Sequence, residues 1–85
     1  MQYYLLLCRS VTHAQRINAA LKRMGISGRI IRPPLGLSER GCGYAVRIGA
    51  TQPDAVVAQL RAMQLAPEQV YHVGSDGKYR EILQH

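Results

Sequence analysis

The chain has 85 residues, room for one domain with a small core and few elements. Its 47% hydrophobic and 19% charged residues make a globular composition and exclude a disordered one. Eleven Lys+Arg against five Asp+Glu give a formal charge of +6, which fits an anionic partner or a basic surface; five Tyr with no Phe or Trp argue against a large aromatic ligand cage.

Tyr3–Cys8 (YYLLLC) is apolar at every position, as in a central strand with both faces covered. It is also the longest apolar run, far short of a spanning helix or a signal-peptide core. A cytoplasmic protein with no membrane partner is therefore expected, with Cys8 and Cys42 as thiols and not a structural disulfide. From Ser10 to Met24 the period changes. Val11, Ala14, Ile17, Leu21 and Met24 recur at steps of three or four, which predicts an amphipathic helix. Ser10 can cap it, or Thr12 with Gln15 can form a capping box, and Gly25 is a natural stop. His13 falls outside that stripe and is expected on the surface.

Gly28–Arg32 reads as a short strand ended by Pro33-Pro34, since proline cannot donate to a ladder. Residues 35–43 (LGLSERGCG) have three glycines and no period, and form a loop. Tyr44–Ile48 alternates, with Tyr44, Val46 and Ile48 on one face. Thr51-Gln52-Pro53-Asp54 predicts a second helix start, with Thr51 as cap and Asp54 bonding back; Val56, Val57, Leu60 and Met63 make its buried stripe. Val70–Val73 is a fourth strand, Ser75–Lys78 a turn, and Tyr79–Leu83 a marginal fifth strand or a short helix.

The order β-α-β-β-α-β predicts an α+β ferredoxin-like sandwich over residues 1–85: a four-stranded antiparallel sheet with two helices on one face, plus a short C-terminal tail. The usual strand order, 4-1-3-2, makes the first and third strands neighbours. The end of strand 1 (Cys8), the start of helix 1 (Ser10–His13) and the start of strand 3 (Cys42) then meet at one edge.

Cys42 lies in Arg40-Gly41-Cys42-Gly43, where the flanking glycines favour exposure and a sharp turn. Arg40 and a nearby helix N-terminus would lower its thiol pKa and favour the nucleophilic thiolate. A small residue tolerated at a turn is the plainer reading. Cys8 reads first as a buried small hydrophobe and second as a resolving thiol for Cys42, which needs Cα atoms within about 7 Å. His13 could exchange a proton near Cys42, and Arg9, Arg32 and Arg40 map to the same edge. No metal-ligand spacing, carboxylate pair or phosphate-binding glycine loop occurs, so neither a metal nor a bound cofactor is expected. Residues 40–47 (RGCGYAVR) partly match the RNA-recognition signature, but Cys42 and Arg47 replace two of its stacking aromatics, so this segment gives little support to nucleic-acid binding.

The chain resembles the short DUF3343 proteins, described as selenium/sulfur carrier-like. The resemblance runs over about residues 3–73, leaving 74–85 as an extension. It rests on the apolar first strand followed by Ser10, Ala14 and Leu21, Gly25-Ile26, the prolines at 33–34, Leu37-Ser38 and above all Cys42-Gly43 before an apolar, Arg-containing strand. It departs in the segment Pro-Pro-Leu-Gly-Leu-Ser and in Tyr44, where an aliphatic is usual. The resemblance implies a carrier, not a turnover enzyme, whose Cys42 holds sulfur or selenium as a persulfide or selenopersulfide. Arg9, Ser10, His13, Arg40, Gly41 and Gly43 would surround it, with donor and acceptor proteins as partners. The alternatives are a non-catalytic protein- or RNA-interaction module, or a Cys8/Cys42 redox element.

Overall fold

A computed structural model describes residues 2–33, 37, 43–49 and 52–82. Five strands, β1 (Tyr3–Cys8), β2 (Gly28–Ile31), β3 (Tyr44–Gly49), β4 (Gln69–Val73) and β5 (Tyr79–Ile82), form one antiparallel sheet in the order β2-β3-β1-β4-β5. Helices α1 (Val11–Arg23) and α2 (Pro53–Ala62) pack on the same face of it. This is the expected α+β sandwich with one correction: the sheet has five strands, not four, because the tail pairs with β4. The hairpin that returns it is built from Gly77, at φ +78°, and from Asp76 Oδ1 accepting the Lys78 amide at 3.0 Å. Three of the four β5 side chains are exposed, so no apolar alternation marked this strand in the sequence.

β1 is central and buried on both faces, as its unbroken apolar run requires. Leu6 and Cys8 face the helices with Val46, Ile48 and Val70, meeting Ile17 and Leu21 of α1 and Val56, Val57 and Leu60 of α2. Leu5, Leu7, Ala45 and Val73 form a second cluster on the helix-free face, where Tyr3, Ile31, Leu37 and Tyr71 pack against them. Tyr44, Val46 and Ile48 share the helix side, as their alternation predicts.

The helix stripes need two corrections. In α1 the buried residues are His13, Ala14, Ile17, Ala20 and Leu21, while Val11 is exposed. At about 100° per residue, His13 lies about 40° around the helix from Ile17, and Val11 about 120°. A stripe centred on Ile17 therefore takes in the histidine and leaves out the valine. In α2, Met63 is the C-cap and is exposed; Leu65, held by its amide to Leu60 O at 2.8 Å, packs into the core instead. The N-cap of α2 is Gln52, with no side-chain capping bond, which puts Asp54 at the second helical position. Thr51 lies outside the described residues.

One close approach fixes the fit of α1 to the sheet. A Cβ on Gly28 would lie 2.5 Å from Asn18 Oδ1 and 2.9 Å from Val46 Cγ1. Glycine at the start of β2 lets α1 sit this near.

Candidate functional site: the corner of β1, α1 and β3

The antiparallel register sets Cys8, the last residue of β1, opposite Tyr44, the first of β3. Ser10 follows in an extended conformation and caps α1: its Oγ accepts the His13 amide at 3.1 Å. The chain thus turns from strand to helix within two residues, and the N-terminus of α1 stands at the edge where β3 begins. No acidic residue occupies the first turn of α1, so its positive end is not neutralised from within the helix. Gly43 enters β3 at φ +151°, a backbone conformation that side-chain-bearing residues rarely adopt. Arg32, just after β2, stacks its guanidinium 4.7 Å from the Tyr44 ring. Arg9 and Ser10 are exposed.

His13 is the surprise of this corner. It was expected on the surface and is only 6% exposed. Its Nδ1 accepts the Arg9 amide at 3.2 Å, so the neutral ring carries its proton on Nε2. Nε2 is buried and has no hydrogen-bond partner among the described residues. A buried donor without a partner costs about 1–3 kcal/mol. The signal in the sequence was the four-residue step from His13 to Ile17.

Cys8 is 4% exposed, and its Sγ donates to Leu6 O at 3.4 Å. Burial, with a smaller contribution from the Glu68 carboxylate, pushes its thiol up to about 12. It is a protonated core thiol at neutral pH. Cys42, Arg40 and Gly41 lie outside the described residues. Among the described residues no group of three or more His, Cys, Asp and Glu could hold a metal ion.

Tyr44, the aromatic that remained of the RNA-recognition signature, packs on the helix side and so is not on the open face of the sheet. The helix-free face carries Tyr3 instead, with the Arg47 guanidinium 4.0 Å from its ring. Only the pairing of β1 with β3 reveals that contact, since 44 residues separate the two in sequence. No helix among the described residues is long and apolar enough to cross a membrane.

Fold and corner together define a small α+β protein in which the entry to β3 is set against a capped helix N-terminus. The chain matches the family model described as "Putative Se/S carrier protein-like" over residues 3–72, and it belongs to that family. No curated protein and no solved structure matches it.

Proposed function

We propose that the protein carries sulfur or selenium between a donor and an acceptor protein as a persulfide or selenopersulfide on Cys42. The observation that carries this reading is the β1–β3 register, which ends β1 opposite the first residue of β3, beside the N-terminus of α1. Cys42 precedes Tyr44 by two residues in the chain, which makes this corner the described part of the fold nearest to it in sequence. In sequence Cys42 has Arg40, Gly41 and Gly43 as neighbours, and a basic residue, small flanking residues and a positive helix end are the surroundings that suit a reactive thiolate. The family description supports the same chemistry.

In the loading step the Cys42 thiolate attacks the outer sulfur of a donor persulfide. A bond forms between Cys42 Sγ and that sulfur, the donor's inner S–S bond breaks, and the donor leaves as a thiolate. The sulfur arrives at the zero-valent level, so no external oxidant or reductant is consumed. Delivery repeats the exchange with an acceptor thiolate, or with selenium in place of the outer sulfur. The role proposed for His13 is to donate Nε2–H to the terminal chalcogen, which would give that buried proton an acceptor. Ser10 and Arg9 act by holding the corner: one caps α1, the other orients the His13 ring through its amide. Cys42 acts without Cys8, whose thiol is buried and protonated.

Incubation with a cysteine desulfurase and cysteine, followed by intact mass, tests the reading. The expected product gains one sulfur, lost on reduction, in the wild type and in Cys8→Ala but not in Cys42→Ser. A sulfur adduct that persists in Cys42→Ser, or none in the wild type, overturns it.

A further inference from the structure

We propose that the Arg29–Arg47 pocket on the helix-free face binds the phosphate of a nucleotide-sized ligand. The site is independent of the Cys42 thiol and lies at the far end of β3, about 17 Å along the strand from Tyr44.

Arg29 and Arg47 are direct partners in the β2–β3 ladder, and both are exposed. Like charges set opposite each other on a sheet destabilise it. Neither has a carboxylate partner among the described residues, where the ion pair is Arg80 with Asp76. Following the register across the sheet from Arg47, the row runs through Leu5 and Tyr71 to Glu81. That acid is three strands away, about 14 Å, beyond the screening length at physiological salt. The Tyr3 ring holds the Arg47 guanidinium in place, and no carboxylate among the described residues compensates its charge.

The two arginines line an open pocket of about 410 Å³ with Ser27, Gly28 and Gly49. The volume exceeds what a bare inorganic anion needs and falls in the range of small-molecule sites. Gly49 is a second, separate sign. It is the last residue of β3, and a Cβ built on it would meet no described atom within 4 Å. Packing therefore does not ask for glycine here. The open space beside Gly49 leaves room for a ligand to approach the strand backbone, one of the uses of a glycine at such a position. Two guanidinium forks, a hydroxyl and a bare backbone edge suit a doubly charged phosphate better than a single carboxylate.

Amide chemical-shift titration of the full chain with inorganic phosphate, AMP, adenosine and a short oligouridylate provides the test. Phosphate and AMP should shift Ser27, Arg29, Arg47 and Gly49, and adenosine should not. Arg29→Ala, Arg47→Ala and Gly49→Asp should each weaken AMP by at least about tenfold. Gly49→Asp should do so without lowering the melting temperature, because its carboxylate also neutralises the arginine pair. Arg61→Ala, the same charge change on the exposed side of α2, should leave AMP affinity within about twofold. Oligouridylate binding at these residues more tightly than AMP assigns the phosphate to a nucleic-acid strand; equal or weaker binding assigns it to a free nucleotide. No shift at the four residues with millimolar AMP overturns the site, as does adenosine acting like AMP. An equal loss in Arg61→Ala would reduce it to unspecific charge attraction and overturn it too.

Discussion

The Cys8 thiol permits a quantitative test of how the core controls reactivity. Cys42→Ser leaves Cys8 as the sole cysteine of the chain. Burial raises its pKa from 9.0 to about 12, so its thiolate fraction at neutral pH is about a thousandfold below that of an exposed thiol. Steric closure at 4% exposure lowers the rate further. Iodoacetamide should therefore label native Cys8 at least about a thousandfold more slowly than the same chain in denaturant, and labelling should accelerate along the unfolding transition. The alkaline limb has a defined sign. The native state binds the proton more tightly than the unfolded chain, so this contribution to stability is complete below about pH 9. It is lost at up to about 1.4 kcal/mol per pH unit as pH rises from about 9 to about 12. Cys8→Ala should lose stability less steeply over that window, since the tyrosines and lysines that also titrate are common to both proteins. Native labelling within tenfold of the denatured rate, or identical alkaline slopes with and without Cys8, would refute the reasoning.

Three further outcomes follow from the packing around α1. Gly28→Ala forces a methyl against Asn18 Oδ1 and Val46 Cγ1 and should cost about 2 kcal/mol by thermal or urea unfolding; adding Asn18→Ala should recover part of it, and a neutral single variant would contradict the close approach. Ser10→Ala removes the cap on the His13 amide and should cost about 1 kcal/mol, whereas Ser10→Asp should match or exceed wild type because the first turn holds no acid. His13→Leu removes both the orphan donor and the acceptor for the Arg9 amide, so its stability should change by no more than about 1 kcal/mol while sulfur loading of Cys42 slows; unchanged loading kinetics would confine His13 to a structural part.

The element order was legible because β1 and the two helices bury long stretches with clear periods. The strand order followed from the ferredoxin-like pattern, and β1 does stand between β3 and β4. For β5 the sequence leaves a marginal strand and a short helix both open, because its side chains are mostly exposed and only the hairpin turn announces it. Polarity alone puts His13 on the surface, whereas its angle on the helix puts it in the core. Met63 was misplaced because α2 ends at Ala62 and the chain then turns, with Gln64 at φ +59°. The edge shared by Cys8, Ser10 and Tyr44 could be anticipated from topology, whereas the Arg29–Arg47 pairing could not. Both are surface arginines in sequence, and only the register makes them neighbours.

The helix-free face poses a packing problem whose solution bears on the β2–β3 connection. Leu5, Leu7, Ala45 and Val73 are at most 4% exposed, yet neither helix lies over them. Among the described residues their cover comes from side chains of the face itself, Tyr3, Ile31 and Tyr71, and from Leu37, which belongs to the connection between β2 and β3. Leu37 is half-buried, so it contributes about half of the roughly 2 kcal/mol that full burial of a leucine gives. Leu37→Ala should then lower stability by about 1 kcal/mol and the melting temperature by about 4–8 °C, the shift expected for a chain of this size. Leu37→Met, similar in volume, should stay close to wild type. Leu37 also ties to the sheet the connection that bears Cys42, five residues further on, so the alanine variant should change the rate at which Cys42 is alkylated in a Cys8→Ala background. A Leu37→Ala protein with wild-type stability would show that Tyr3, Ile31 and Tyr71 cover the cluster without it.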